Sequence, residues 1–126
     1  MNRQRLETLT QTPGPSGYED EIRAVIAEEV EDTADEVRTD ALGSLVAFRQ
    51  GTDRDKTLLL AAHMDEIGLM VTHVEQEGFV RFTSVGGIRA VNSISSRVRF
   101  ANGTLGTLSV ERREDASKVP QLHHLY

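Results

Sequence analysis

An uninterrupted apolar run, Leu58-Leu59-Leu60-Ala61-Ala62, passes directly into His63-Met64-Asp65-Glu66-Ile67-Gly68. A strand with one wet face alternates apolar and polar side chains, so a run without alternation predicts a strand over 57–62 covered on both faces, inside a layered α/β sheet. The segments before it can supply such layers. Leu6 and Leu9 put a narrow apolar stripe on a short amphipathic helix over 3–11. Thr12-Pro13-Gly14-Pro15-Ser16-Gly17 ends that helix as a shaped loop, because proline lacks a donor and restricts the residue before it. From Tyr18 a second helix is expected, with Ile22, Val25, Ile26 and Val30 on one face and Ser16 or a neighbour as its cap. Glu19, Asp20 and Glu21 then match the positive end of the helix dipole. Two half-exposed strands, over 36–40 and 44–50, precede the apolar run.

After Gly68 the pattern becomes β in style. Short strands are expected over 69–74, 78–85, 96–101 and 104–111, broken by glycine-bearing turns. Asn102-Gly103 predicts a tight hairpin whose two central residues both have positive φ. The charged stretch 112–118 reads as a solvated loop. The fold class is therefore α/β over 1–68, followed by a mostly β region over 69–126.

Composition narrows the function classes. The net charge is −6, which offers no basic field to a phosphate backbone, and nucleic acid is not an expected partner. Cysteine is absent, so disulfides and thiolate metal sites are excluded and any metal would have nitrogen and oxygen ligands. No apolar stretch has the length of a membrane span or of a signal-peptide core, and the expected location is the cytoplasm.

The chemistry concentrates where the apolar run ends. Alternation along an extended chain puts His63 and Asp65 on one side and Met64 on the other. Open α/β sheets carry their sites at the carboxyl ends of strands. A neutral imidazole there is a good zinc or cobalt ligand, and a carboxylate two residues on can orient the ring. A structural, hydrogen-bonded histidine is the plainer reading of the same spacing. The other histidines offer less: His73 sits in a β segment as a surface or packing residue, and His123 and His124, being adjacent, point to opposite sides of a strand. Glu75 and Glu77 read as a solvated hairpin tip.

The stretch Ala62-His63-Met64-Asp65-Glu66-Ile67-Gly68-Leu69-Met70-Val71 resembles the first metal-ligand motif of the tetrahedral (glutamyl or deblocking) aminopeptidases. Three more matches occur in order. Pro13-Gly14-Pro15-Ser16-Gly17-Tyr18-Glu19 is similar to the loop before that family's second helix. Asp40-Ala41-Leu42-Gly43-Ser44-Leu45 resembles its Asp-x-x-Gly-Asn-Leu turn, with Ser44 in place of asparagine. Val85-Gly86-Gly87 resembles the entry to its inserted β domain.

The resemblance implies an α/β/α zinc-peptidase layer carrying an inserted β-barrel or PDZ-like dimerisation domain, both truncated here. It implies removal of N-terminal residues from peptide substrates by two divalent metal ions, zinc or cobalt, in a homo-oligomer, a dodecamer at full length. His63 is then a metal ligand and Asp65 the catalytic carboxylate that orients it. The remaining ligands and the glutamate base are expected beyond residue 126, so this chain would hold at most one weak metal site and be inactive alone. Glu66 is not given the role of base. A noncatalytic truncated product, or an oligomerisation and binding module built on the β half, is the alternative from another class. The wider di-zinc exopeptidases share a His-x-Asp first motif, but Glu66-Ile67-Gly68 and the β region favour the tetrahedral branch. Glycosidase chemistry, which needs two carboxylates across a sugar bond, finds no support.

Overall fold

Asn2 opens the first helix by accepting the Gln4 N–H on its side-chain oxygen at 3.0 Å, which satisfies one of the donors that a helix start leaves unpaired. The structure, a computed structural model, describes residues 2–110, 121, 123, 125 and 126. They form two compact units, Met1–Glu66 and Ile67–Tyr126.

In the first unit, α1 spans Arg3–Gln11 and α2 spans Asp20–Glu31. The apolar stripe of α2 faces inward as its spacing predicts: Ile22 is buried at 3% exposure, and Val25, Ile26 and Val30 are half-buried. Its start differs from the sequence reading. The N-cap is Glu19, which makes no side-chain cap to the helix and instead accepts the Gly17 N–H at 2.6 Å. Ser16 is therefore not the cap, and its hydroxyl is used elsewhere. Arg23 leaves α2 to reach the next element, pairing with Asp20 at 2.5 Å and donating from Nε to the Gly43 carbonyl at 2.8 Å.

That element is an antiparallel hairpin of β1, Glu36–Thr39, and β2, Leu45–Phe48. Its turn is built by Asp40, whose Oδ1 accepts the N–H groups of Leu42 and Ser44, both at 2.9 Å. Those two backbone donors, Ser44 first, hold the Asp40 carboxyl below the ordinary carboxylate range. A carboxyl whose folded pKa lies below its unfolded one contributes stability that is present above about pH 4 and is lost as pH falls through the folded value. We expect Asp40→Asn to remove part of the loss of hairpin stability below pH 4, as read by amide exchange of Leu42 and Ser44 against pH. An unchanged acid profile would show that the carboxylate does not govern this turn.

The segment 57–62 corrects the sequence reading. No strand is assigned there, and Leu58, Leu59 and Leu60 are 83%, 83% and 84% exposed. A strand covered on both faces needs a hydrogen-bonding neighbour and a layer on each side. Among the described residues this segment has neither. The apolar run states what it requires, and the sheet that would meet the requirement is not formed by these residues.

The second unit holds β3, Gly68–Val74; β4, Val80–Val85; a single helical turn α3, Ala90–Ser93; β5, Arg97–Arg99; and β6, Leu105–Thr107. β3 pairs with β4 and β5 with β6, both antiparallel, and the first pair is bulged between Val71 and His73. Only α3 had no counterpart in the sequence reading, since one turn carries no periodicity. Among the described residues the buried apolar side chains here are Ala90, Leu108 and Leu125, the last 1% exposed. Leu125 bridges Val110, and Ser109 and Tyr126 exchange two backbone bonds of 2.8 and 3.1 Å. The Tyr126 ring lies 4.4 Å from that of Phe79, and the Arg81 guanidinium stands over it at 5.5 Å. Arg81 also pairs with Glu75 at 2.6 Å, with both side chains about three-quarters covered. Glu75 is thus part of a packed pair rather than a solvated tip. His73 is exposed on β3 opposite Arg81. The stretch 112–118 and His124 lie outside the described residues.

The three hairpins of the described residues turn in one way. In 40–44, 75–79 and 100–104 the first residue's carbonyl accepts the N–H of the glycine three places on, at 3.1, 3.0 and 2.8 Å. The first residue's N–H then donates to the carbonyl of the residue after the glycine, at 2.9, 2.8 and 2.9 Å. Gly43, Gly78 and Gly103 have φ of 92°, 90° and 85°, the left-handed conformation that follows a type I-like turn in a three-residue hairpin loop. Asn102 does not have positive φ, so the expected two-residue turn at Asn102-Gly103 is replaced by one centred on Ala101 and Asn102.

Candidate functional site

The loop of two prolines and two glycines is held against the segment 63–66 by backbone and side chain together. Pro15 and Glu66 form a parallel bridge, Glu66 N–H donates to the Gly14 carbonyl at 2.8 Å, and Ser16 N–H donates to the Glu66 carbonyl at 3.4 Å. The Glu66 carboxylate accepts the Gly14 N–H at 3.1 Å. Gly14 itself is buried, and a Cβ there would meet Ile22 Cγ2 at 2.5 Å and the Met64 carbonyl at 3.7 Å. Glycine at this position is a packing requirement, because the loop passes directly over the one buried side chain of α2.

The consequence is a fixed placement of the side chains at 16, 63 and 65. His63 Nδ1 lies 3.0 Å from Asp65 Oδ1 and 3.0 Å from the Asp65 carbonyl. Both partners are acceptors, so Nδ1 of the neutral ring carries the proton, and the Nε2 lone pair is left for another group. The His63 side chain is 86% exposed, and it is not packed among aliphatic groups. The other Asp65 oxygen, Oδ2, accepts the Ser16 hydroxyl at 2.5 Å. Asp65 is held below the ordinary carboxylate range, chiefly by that hydroxyl and further by His63, against a smaller opposing effect of burial.

Spacing in the sequence brings His63 and Asp65 together as expected; Met64 is half-buried and lines a hollow with Leu9, Thr10, Thr12, Gly14, Asp65 and Glu66. His63 does not line it. Ser16 is the residue that sequence reasoning missed. Its place in the loop motif was visible, but a helix cap gave its hydroxyl a ready alternative use. The order of contacts decides what chemistry the trio can do. A serine nucleophile needs its hydroxyl on the histidine. Here the carboxylate stands between serine and histidine, so the hydroxyl is a donor to Asp65 and the imidazole is the outward-facing group.

Among the described residues no three His, Asp or Glu side chains converge on one point. His63 and Asp65 fit one metal ligand with its orienting partner, and do not by themselves fit a complete site.

Comparison with known proteins gives one family. The M42 glutamyl aminopeptidase family matches residues 43–124. The chain is 42% identical over 121 residues to a protein of Acetivibrio thermocellus that is an aminopeptidase by assignment, covering 96% of this chain and 36% of that one. Among solved structures it is similar to an aminopeptidase from the archaeon Desulfurococcus kamchatkensis, with 34% identity, TM-score 0.87, and 97% of this chain and 35% of that one covered. It is also similar to the TET1 peptidase of Pyrococcus horikoshii, with 34% identity, TM-score 0.75, and coverage of 97% and 38%; that protein can assemble into a tetrahedron or a large octahedral shell. The mixed α/β fold is thus that of solved aminopeptidases, and the chain spans little more than a third of the length of these relatives.

Proposed function

The chain belongs to the M42 glutamyl aminopeptidase family, and on that premise we propose that it serves metal-dependent removal of N-terminal residues from peptides. The observation that carries this reading is the contact of His63 Nδ1 with Asp65 Oδ1 at 3.0 Å, which leaves Nε2 of an exposed imidazole facing outward. A bound divalent ion, zinc or cobalt, would supply Lewis acidity toward a carbonyl or a water. His63 would hold one of two such ions, and Asp65 would fix the ring and its tautomer. Glu66 is engaged by the Gly14 N–H and serves the loop, which supports assigning the proton-transferring glutamate to another part of the enzyme.

In the same reading, residues 1–68 belong to the α/β/α metallopeptidase layer and 69–126 to an inserted β-barrel or PDZ-like domain. The whole enzyme is a homo-oligomer, as the assembly of the P. horikoshii relative suggests. It works in the cytoplasm, a reducing compartment to which a cysteine-free chain is suited. With one ligand pair among the described residues, the 126-residue chain alone is expected to bind zinc or cobalt weakly and to cleave no aminoacyl reporter. An enzyme carrying this chain within its full length is expected to cleave the reporter and to lose turnover with His63→Ala. Turnover by the purified 126-residue chain, abolished by His63→Ala, would refute the claim that its site is incomplete. Undiminished turnover in the full-length His63→Ala enzyme would refute the assignment of His63.

A further inference from the structure

Asp65 has two carboxylate oxygens and they face two different segments of the chain. Oδ1 meets His63 Nδ1 at 3.0 Å, while Oδ2 accepts the Ser16 hydroxyl at 2.5 Å, across 49 positions of sequence. The terminal torsion of an aspartate is broad, so one contact from an exposed imidazole does not hold the carboxylate plane. A second contact at the other oxygen does, provided that its donor is itself fixed. Ser16 meets that condition. Its backbone N–H is bonded to the Glu66 carbonyl, its neighbour Pro15 is bridged to Glu66, and Gly14 is bonded to Glu66 through both its N–H and its carbonyl. The hydroxyl is also free for this use, because α2 begins at Asp20 under a different N-cap.

Resting on the metal-ligand reading of His63 given above, we propose that Ser16 is a positioning residue: acting through Asp65, it holds the His63 ring in the Nδ1–H form with Nε2 presented outward. Ser16 touches neither metal nor substrate in this arrangement. A merely structural staple between the loop and segment 63–66 would use the same hydrogen bond, and the two roles differ in what they do to the imidazole. A staple changes stability and leaves the tautomer alone. A positioning residue changes the tautomer.

The test is made on the metal-free 126-residue chain with ¹⁵N-labelled histidine, reading the His63 tautomer from long-range proton–nitrogen correlations at a pH where the ring is neutral. The wild type is expected to show one dominant form, protonated at Nδ1. Ser16→Ala, which leaves the Asp65 carbonyl as the one fixed acceptor 3.0 Å from Nδ1, is expected to raise the share of the Nε2–H form, and Ser16→Thr, which keeps the hydroxyl, to return it to the wild-type level. An unchanged His63 tautomer in Ser16→Ala, or a mixture in Ser16→Thr equal to that in Ser16→Ala, overturns the proposal. Should Ser16→Ala lose the dispersed Ile22 methyl signals of the folded unit, Ser16→Cys, of similar size and with a weaker donor, is read by the same criteria. Zinc added to the same samples is expected to bind about 10-fold more weakly to Ser16→Ala, the lower edge of what loss of an outer partner does to a metal site. Undiminished turnover in the full-length His63→Ala enzyme would sink the metal reading on its own, and the tautomer result would still decide the role of Ser16.

Discussion

Gly14→Ala is expected to destabilise the first unit by about 1–3 kcal/mol, the usual cost of forcing an extra methyl group into a packed place. Two effects compete here. Gly14 does not have positive φ, so removing glycine's freedom in the unfolded chain would by itself stabilise by about 0.4–1 kcal/mol. Against that stands a Cβ only 2.5 Å from Ile22 Cγ2, where Ile22 is 3% exposed and cannot swing into solvent. The steric effect is the larger, and the net sign is loss. In a unit of this size the expected fall in Tm is roughly 5–20 °C. Ile22→Ala separates the causes, since it removes the atom that the new methyl would strike. The double variant should cost less than the two single ones added together, by about 1 kcal/mol or more, the size of coupling seen between residues in contact. Thermal unfolding of the four proteins measures it, and strict additivity would show that Gly14 matters through its backbone alone.

The same loop shows how far the candidate site could be read beforehand. Alternation along 63–65 was enough to pair His63 with Asp65, because two residues apart on an extended chain face one way whether or not a sheet has formed. Ser16 could not be found by that logic. Its partner lies 49 positions away, and a serine before a helix has a local explanation that spacing alone prefers. Glu66 is similar: beside a His-x-Asp pair a glutamate suggests proton transfer, and only the structure gives its carboxylate to the Gly14 N–H.

In the fold, the apolar stripe of α2 and the hairpin positions were legible, since each follows from a local period or a glycine in a turn. The dihedral detail was not. Asn102-Gly103 satisfies two hairpin types equally well, and the bond from Gly103 N–H to the Phe100 carbonyl selects the longer loop. Glu75 was misread for a different reason: its partner Arg81 is covered by the Tyr126 ring, which the pairing of Tyr126 with Ser109 brings in from a distant part of the sequence that no local window contains.

The apolar run supplies the other large effect. Had Leu59 been buried in a central strand, Leu59→Lys would cost several kcal/mol by placing an unpaired charge in an apolar layer. With Leu59 83% exposed, the substitution is expected to change the stability of the 126-residue chain by less than about 0.5 kcal/mol, as surface changes do. Its effect should fall on association. Five consecutive apolar residues, exposed and without a strand partner among the described residues, form a segment of the kind that pairs between copies. The wild-type chain is therefore expected to self-associate as its concentration rises, and Leu59→Lys to suppress this, because one charge within such a segment breaks edge pairing. Sedimentation velocity over a concentration series, run beside thermal unfolding of both proteins, separates the two arrangements. A large loss of stability in Leu59→Lys would place the leucine in a covered sheet, and equal association of the two proteins would move the contact away from this run.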